Sequence, residues 1–188
     1  MKSIVVALTG ASGAIYGIRL LEVLRKKNVT VHLVASPSAE ITLRLETRTT
    51  VKALKLLATK YYDVNDLAAP IASGSYHVEG MVIVPCSTRT LGAIANGISD
   101  NLITRAAEVC LKEKRPLVMV PRETPLDEIH LRNMLAVAHA GAIVLPASPA
   151  FYHQPNNINQ LVDHVVGKIL DVIGIEHALF RRWHGVAN

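Results

Sequence analysis

Two glycines and a serine follow the first apolar run of the chain, in the segment TGASG at residues 9–13. Glycine lets a backbone approach a phosphate closely, and the helix start behind such a turn supplies free N–H groups and a positive dipole end. With glycines at positions 10, 13 and 17, the segment matches neither the dinucleotide fingerprint G-x-G-x-x-G nor a P-loop. It therefore predicts either a phosphate-binding turn or an ordinary strand-to-helix turn capped by Ser12.

The residues after the second apolar run help to choose the ligand. A dinucleotide site needs Asp or Glu there to bind the adenosine ribose, whereas this chain has Ser-Pro-Ser at residues 36–38. That difference argues against NAD and favours a mononucleotide such as flavin mononucleotide (FMN). The alternative is that Ser36 only caps the next helix.

A third hydroxyl-rich segment, PCSTRT, occupies residues 85–90. Ser87, Thr88 and Thr90 could donate hydrogen bonds to an anion or to the edge of a flavin, or they could serve only as helix caps. Cys86 has no histidine nearby in the sequence to activate it as a nucleophile, so a buried packing role is the stronger interpretation.

A cation and a carboxylate follow a later apolar run, in the segment PRE at residues 121–123. The guanidinium of Arg122 could bind a phosphate or a flavin carbonyl with its planar fork. Glu123 could transfer a proton. The alternative is an ion pair between these two neighbours.

Two more cations, Arg105 and Lys112, are seven residues apart and are expected on one helix face. They could form half of a phosphate clamp. Because Glu108 stands between them, a solvated face held by salt bridges is the simpler interpretation from spacing alone.

The segment FYHQP, residues 151–155, follows the last apolar run. Tyr152 could donate its hydroxyl to an anion, and the aromatic rings could line an apolar pocket. His153 is more typical of a structural histidine, and Lys168 of a surface lysine. The eight histidines show no HExxH or comparable spacing, so no metal site is predicted.

Short apolar runs and helical patterns alternate along the chain, and these elements must position the polar segments. Apolar runs predict five strands at residues 3–8, 30–35, 81–84, 117–120 and 142–145. Helical spacing predicts helices at residues 14–27, 38–46, 51–60, 87–96, 101–113, 126–139 and 158–173. The region 61–80 is the least regular and is predicted to be a surface excursion.

This alternation predicts an α/β fold with a central parallel sheet and right-handed crossovers. Parallel sheets bind ligands beyond the carboxyl ends of their strands. The five polar segments that follow the strands are therefore expected to converge on one rim.

Bulk composition limits the remaining possibilities. With 188 residues, 50% of them hydrophobic, the chain suits one domain with a sizeable core. The net charge of +5 comes from scattered residues, which favours a phosphorylated small molecule over nucleic acid. Two cysteines without a CxxC spacing predict a reduced, cytoplasmic protein. No apolar run is long enough for a signal peptide or a membrane span.

Together these segments resemble the UbiX/phenylacrylic-acid-decarboxylase-associated family of flavin prenyltransferases. The resemblance runs nearly end to end and is carried by TGASGAIYG, PCSTRTLGAIANGISDNLITRAAEV, LKEKRPLVMVPRETPL, IHLRNM and LPASPAFYHQP, with RWHG near the C-terminus. It implies a Rossmann-like three-layer fold in a single domain over residues 1–188, a homo-dodecamer, and a reaction without a metal. It also implies transfer of a dimethylallyl group from dimethylallyl phosphate to reduced FMN, giving prenylated FMN for a UbiD-type decarboxylase.

The resemblance implies roles for individual residues by their positions. The residues expected to hold the flavin are Gly10, Ala11, Ser12, Ser36, Ser87, Thr88, Arg89, Thr90 and Arg122. The residues expected to bind the prenyl phosphate, some of them from adjacent subunits, are Tyr152, Lys168, Arg105, Lys112 and Glu123. Catalytic roles are implied for Ser12, for Glu123 and for Glu46, a further carboxylate near the flavin.

The implied chemistry agrees with these residue types. Breaking an allylic carbon–oxygen bond leaves positive charge on the prenyl group and negative charge on the phosphate, so fixed cations can stabilise the leaving group. The proton released by the flavin could pass to Glu123, to Glu46 or to the phosphate. Arg89 stands where relatives often carry Lys or Gly, and Lys168 stands where some carry Arg, which would change the contact geometry.

Two other functions stay open at this point. An FMN-dependent decarboxylase of the homo-oligomeric flavin-containing cysteine decarboxylase type would use oxidised flavin and a Pro-x-Met-Asn segment, which Asn133-Met134 echoes only faintly. A non-catalytic flavin carrier would tolerate replacement of Glu123 or Lys168.

Overall fold

The computed structural model describes residues 2–183 and Gly185, which form six strands and seven α-helices. The strands are β1 Ser3–Leu8, β2 Thr30–Ala35, β3 Lys60–Tyr62, β4 Gly80–Cys86, β5 Leu117–Pro121 and β6 Ile143–Val144. The helices are α1 Ala14–Lys26, α2 Pro37–Glu46, α3 Val51–Lys55, α4 Thr88–Ala95, α5 Leu102–Lys112, α6 Glu128–His139 and α7 Ile158–Val172, with a 3₁₀ turn at Pro70–Ala72. The strands make one sheet in the order β3-β2-β1-β4-β5-β6, and all neighbours are parallel.

The sheet is buried on both faces, which explains the continuous apolar runs of its central strands. In β1, Ile4, Val6 and Leu8 belong to one core, and Val5 and Ala7 belong to the other. The first core packs under α1, α2, α3 and α7, and the second under α4, α5 and α6. The predicted three-layer, Rossmann-like fold with a central parallel sheet is thereby confirmed.

The strand order reverses between β1 and β4, because the chain winds outward from β1 in one direction and from β4 in the other. At such a reversal the loops after the two strands diverge to opposite faces and leave a crevice at the carboxyl edge. The segments at residues 9–13 and 87–90 flank this crevice.

The edge of the sheet differs from the prediction. The predicted helix 51–60 ends at Lys55, and Lys60–Tyr62 forms the edge strand β3 instead. Aromatic residues favour strands, and the hydroxyl of Tyr62 lies 3.0 Å from Nδ1 of buried His32 on the neighbouring strand. The prediction of a surface excursion at residues 61–80 is also wrong, because Ile71 and Val78 are buried in the second core.

Two smaller boundary predictions also change. The last strand is only Ile143–Val144 rather than four residues. Helix α6 begins at Glu128 because Asp127 caps it, accepting a hydrogen bond from the backbone N–H of His130 at 2.7 Å. Among the described residues, no helix combines the length and apolar character needed to cross a bilayer.

Candidate active site

A cavity of about 570 Å³ lies at the carboxyl edge of the sheet, where the loops after β1, β2 and β4 meet. Three of the five predicted segments therefore open on the same space. The lining residues are Gly10, Ser36, Pro37, Ser38, Val64, Asn65, Ser87, Thr88, Arg89, Thr90, Asp100, Asn101 and Ile103. Ala11 is buried in the turn beside Gly10 and lies outside this lining.

Hydrogen bonds fix the loops of this rim to one another. The buried hydroxyl of Thr9 donates to the carbonyl of Pro85 at 2.8 Å and accepts from the backbone N–H of Ser87 at 2.7 Å. The backbone N–H of Ser36 donates to the carbonyl of Leu8 at 3.0 Å. The ends of β1, β2 and β4 therefore hold their polar residues in fixed positions before any ligand arrives.

Three helix N-termini border the cavity. Ser36 caps α2 by accepting from the N–H of Ala39 at 3.1 Å, and Ser87 caps α4 by accepting from the N–H of Thr90 at 3.3 Å. The capping interpretation of both serines is therefore correct, and both also line the cavity. The third is α5, whose cap Asn101 accepts from two backbone N–H groups. Three positive dipole ends facing one space favour an anion there.

Close approach of the backbone explains the glycine at position 10. A Cβ atom built on Gly10 would lie 2.4 Å from Cβ of Ser38, which also lines the cavity. No side chain fits between the turn after β1 and the start of α2. The space therefore exposes backbone and hydroxyl groups, a donor set that suits the phosphate and polar edge of FMN.

The turn at the start of α1 is capped by a residue from another helix. The carboxylate of Glu46 accepts hydrogen bonds from the N–H groups of Gly13 at 2.8 Å and Ala14 at 2.9 Å. The residue at the cap position is Gly13, whose φ of 107° is left-handed, and it makes no side-chain cap. The interpretation that Ser12 caps this helix is thus wrong, and its side chain instead helps to lower the pKa of Glu46.

These contacts control the ionisation of Glu46. Burial by itself would raise its pKa, but the hydrogen bonds from Ser12, Ala14 and Gly13 and the charge of Arg122 together lower its pKa below the ordinary value. Glu46 is therefore ionised at neutral pH and stabilises the N–H groups at the start of α1.

Arg122 lies over the same turn. Its Nε donates to the carbonyl of Ser12 at 3.1 Å, and its charge opposes the burial that raises the pKa of Tyr16. Arg122 and Glu123 form no ion pair with each other among residues 2–183 and Gly185, so that alternative is wrong. Glu123 is exposed, and its carboxylate accepts from the N–H of Thr124 at 3.1 Å.

Arg89 lines the cavity but is largely exposed to solvent. Its Nη2 lies 3.2 Å from Oδ2 of Asp100, and 76% of its side chain is exposed. Of the PCSTRT segment, Ser87 and Thr90 are therefore held in the rim by hydrogen bonds, while Arg89 is held only by an exposed ion pair.

An aromatic wall follows β6. The ring of Tyr152 meets the rings of His153, His164 and Trp183 edge-on, at centroid distances of 5.6, 6.0 and 5.7 Å. The segment is tied to β5 by a hydrogen bond from the N–H of Ala147 to the carbonyl of Pro121 at 3.1 Å. It therefore lies on the side of the rim that carries Arg122.

Lys168 belongs to this second region. It lies on α7 one turn from His164, and its charge contributes, after burial and His153, to the lowered pKa of His164. Its Nζ lies 3.7 Å from Oδ2 of Asp171, and about half of its side chain is exposed. Lys168 and Tyr152 thus stand on the same side of the sheet, both close to His164.

Arg105 and Lys112 lie elsewhere. Nε of Arg105 donates to the carbonyl of Ala72 at 3.0 Å and Nη1 pairs with Glu108 at 2.9 Å, while Lys112 pairs with Glu113. Their helix α5 covers the face of the sheet opposite to α7. Within one chain these cations and the pair Tyr152 and Lys168 do not form one site.

The remaining reactive groups are the thiol of Cys86 and the side chains that could bind a metal ion. Cys86 is fully buried, and burial raises the pKa of its thiol to about 12, so it acts as a packing residue. Within the part of the chain that the structure describes, no group of three or more His, Cys, Asp or Glu residues could hold a metal ion.

Sequence reasoning placed Ser38 in a rim segment but missed Asn65, Asp100 and Asn101 in the cavity lining. Asn101 had a detectable signal, since Asn101 and Thr104 form a capping box at the start of an apolar helical pattern. Asn65 had none, because it lies in the irregular region after β3.

Both the sequence and the fold of this chain are similar to those of known flavoproteins. The sequence model of the Flavoprotein family matches residues 1–177. Flavin prenyltransferase UbiX from Methanothermobacter thermautotrophicus is 51% identical over 98% of this chain and 97% of that protein. The fold superposes on the crystal structure of AnUbiX in complex with FMN and dimethylallyl pyrophosphate with a TM-score of 0.97 and 49% identity, covering 99% of both chains. It also superposes on a dodecameric FMN-dependent UbiX-like decarboxylase from Escherichia coli, with a TM-score of 0.95 and 46% identity over 97% of this chain and 100% of that one.

Proposed function

Since this chain belongs to the flavoprotein family, we propose that it is a flavin prenyltransferase, which transfers a dimethylallyl group from dimethylallyl phosphate to reduced FMN. The observation that carries this proposal is the rim itself. Three helix N-termini and the bare backbone of Gly10 open on one cavity, in a chain that superposes almost completely on AnUbiX.

Reduced FMN would be held by the hydroxyl and backbone donors of this rim. Ser36, Ser87, Thr88 and Thr90 line the cavity, and the helix N-termini beside them favour the phosphate. The turn at residues 10–12 and the guanidinium of Arg122 border the adjoining surface. When bound, the reduced flavin supplies the electron-rich ring that accepts the prenyl group.

Tyr152 and Lys168 would bind the phosphate of the prenyl donor. As the allylic carbon–oxygen bond breaks, both of its electrons stay on the phosphate oxygen, and a fixed cation stabilises that growing negative charge. The aromatic wall of Tyr152 and Trp183 would exclude water from the positive prenyl group. A metal ion is not needed for this step if enough fixed cations surround the phosphate.

The two candidate carboxylates stand in different environments. Glu46 is ionised, and its oxygens are engaged by Ser12, Gly13 and Ala14, so its first task is to hold the flavin-binding turn. Glu123 is exposed and has one backbone donor, so it is free to accept a proton or to contact the phosphate. We propose that Glu46 positions the turn and that Glu123 meets the substrate.

Assembly would complete the site. Because Arg105 and Lys112 lie on the opposite face of the sheet from Lys168, they can reach the prenyl phosphate only from a neighbouring copy. Helix α6 buries only Val137 and leaves Ile129, Leu131 and Leu135 more than half exposed, as expected for a face that packs against another subunit. We therefore propose a homo-oligomer, with the dodecamer as the expected form.

The product, prenylated FMN, is expected to serve a separate UbiD-type decarboxylase. The decarboxylase alternative predicts carbon dioxide from an oxidised flavin without any prenyl donor. The carrier alternative predicts flavin binding without turnover.

The deciding experiment is anaerobic. The protein is incubated with reduced FMN and dimethylallyl phosphate, and the mass of the extracted flavin is measured by mass spectrometry. We expect its mass to rise by one isoprene unit, with phosphate released in equal amount. An unchanged flavin mass would contradict the transferase function, and the same assay with Lys168→Met separates enzyme from carrier.

A further inference from the structure

Asp171 gathers three basic side chains at the end of α7. Its carboxylate accepts two hydrogen bonds from Arg182, at 2.6 Å from Nη2 and 3.2 Å from Nη1. Nε2 of His177 lies 3.1 Å from Oδ1, and Nζ of Lys168 lies 3.7 Å from Oδ2. Two of these partners come from the segment after α7 and the third is the proposed phosphate ligand.

The segment from His177 to Trp183 contacts α7 through His177, Phe180 and Arg182, and we call it the C-terminal strap. A Cβ built on Gly167 would lie 2.4 Å from Cε1 of Phe180 and 2.6 Å from Cε1 of His177. A side chain at position 167 would therefore lift the strap from the helix. The side chain of His177 is only 1% exposed, so it needs a partner for its ring nitrogens.

The strap ends at the aromatic wall. Phe180 packs against His164 at a centroid distance of 4.7 Å, and Trp183 meets Tyr152 at 5.7 Å. The strap side of these contacts is basic, since Arg181 and Arg182 precede Trp183. Without a central anion, the side chains of Arg182 and Lys168 would leave positive charge crowded around one end of the wall.

We propose that Asp171 is a positioning residue: it ties the C-terminal strap to α7 and so holds Trp183 against Tyr152, beside Lys168, in the wall of the prenyl-phosphate site. The effect on turnover rests on the proposed function, whereas the tie between Asp171 and the strap does not.

The direction in which substrate affinity changes in an Asp171 variant distinguishes a positioning role from a purely electrostatic one. Removing the negative charge of Asp171 frees Lys168 and makes its surroundings more positive, so by electrostatics alone an anionic substrate should bind more tightly. If Asp171 instead positions the wall, the same change loosens Trp183 and Tyr152 and weakens binding.

The test uses Asp171→Asn in the full-length protein. Trp183 is the single tryptophan of the chain, so its fluorescence reports the strap without a label. We expect lower emission anisotropy and a rise of about one-half in the acrylamide quenching constant, because a ring already 60% exposed cannot gain twofold. Acrylamide is neutral, so the change in charge does not alter quenching by itself.

In steady-state assays the KM for dimethylallyl phosphate should rise about tenfold with a smaller change in kcat, which is the signature of lost binding rather than lost chemistry. Asp171→Glu should restore part of both readouts. The matched control is Asp163→Asn, which removes a carboxylate from the same helix that pairs with Arg19 at 2.6 Å, away from the strap; we expect wild-type anisotropy and KM.

Each remaining outcome decides the proposal. Unchanged anisotropy and quenching in Asp171→Asn would overturn the tie, and loosened Trp183 with an unchanged or lower KM would overturn the positioning role. If Asp171→Asn does not fold, as judged by circular dichroism, Arg182→Gln removes the same ion pair from the strap side and must loosen Trp183. If the wild type does not prenylate flavin, the proposed function and the KM effect both fail, while the fluorescence comparison still decides the tie.

Discussion

The cap of α1 by Glu46 joins the start of one helix to the end of the next, between residues 33 positions apart, and Glu46→Gln tests it directly. The variant keeps the size of the side chain and one acceptor oxygen but removes the charge. Since the carboxylate accepts from Gly13 and Ala14 at 2.8 and 2.9 Å, the change weakens two hydrogen bonds in the turn after β1, beside the cavity that we propose holds FMN.

The magnitude follows from ordinary helix capping. A capping side chain contributes about 1 kcal/mol, and a negative charge at a helix N-terminus about 0.3–1 kcal/mol. Because Glu46 is an exposed residue, solvent screening reduces the charge term. We expect Glu46→Gln to lower the free energy of unfolding by about 0.5–1 kcal/mol at pH 7, equivalent to a Tm lower by roughly 1–4 °C for a chain of this length.

The pH dependence has a definite sign. The folded pKa of Glu46 is lowered, by hydrogen bonds and Arg122 that outweigh burial, so its contribution is present above the ordinary carboxyl pKa and is lost as the pH falls through the folded value. The difference in Tm between wild type and Glu46→Gln should therefore be full at pH 7 and shrink below about pH 4.3.

Differential scanning calorimetry at one fixed protein concentration measures both quantities, since oligomer stability depends on concentration. The matched control is Glu40→Gln on the same helix, whose carboxylate forms an ion pair with exposed Arg44 and with no other described residue; that pair should contribute less than about 0.5 kcal/mol. A Tm difference for Glu46→Gln that stays the same from pH 7 down to pH 3 would refute capping by the ionised carboxylate.

Three further predictions concern the cavity and its surroundings. Gly10→Ala should raise the dissociation constant of FMN about tenfold or more, because relieving the 2.4 Å contact with Ser38 costs on the order of 1–3 kcal/mol. The control for equilibrium dialysis is Gly97→Ala, which strains a left-handed backbone with φ of 69° but places its Cβ atom within 4 Å of nothing, so it should lower stability without changing FMN binding. Lys168→Met should raise the KM for dimethylallyl phosphate at least tenfold and leave FMN binding intact, whereas Lys168→Arg, which keeps the charge but changes the contact geometry, should raise KM less; a Lys168→Met KM equal to that of the wild type would contradict a role in phosphate binding. Cys86, with its pKa raised by burial to about 12, should resist iodoacetamide in the native protein for hours at pH 8, and rapid modification seen by mass spectrometry would contradict that burial.

The central part of the fold could be predicted from the sequence because burial on both faces leaves a local record. The strands β1, β4 and β5 are apolar at every buried position, and a loop with polar residues follows each of them. The edge strand β3 has only three residues and one buried side chain, so its sequence does not differ from the end of a helix. A short edge strand is defined by its pairing with the neighbouring strand, which the local sequence does not reveal.

The rim was predictable and its internal bonds were not. Parallel strands bring their carboxyl ends together, so the convergence of residues 9–13, 36–38 and 87–90 follows from topology alone. The bond from Gly13 to Glu46 spans 33 residues, and no local pattern encodes it. For the same reason the partners of Asp171 in the C-terminal strap could not be inferred from spacing.

The distribution of cations explains why one chain is not enough for the proposed reaction. A phosphate that leaves without a metal needs several fixed positive groups, yet Lys168 lies on the α7 face of the sheet and Arg105 and Lys112 lie on the α5 face. A sheet that is buried on both faces cannot let these groups meet through its core. If all three act on one phosphate, at least two copies of the chain must contribute to each site, and dissociation of the oligomer should abolish turnover while each isolated chain keeps its flavin rim.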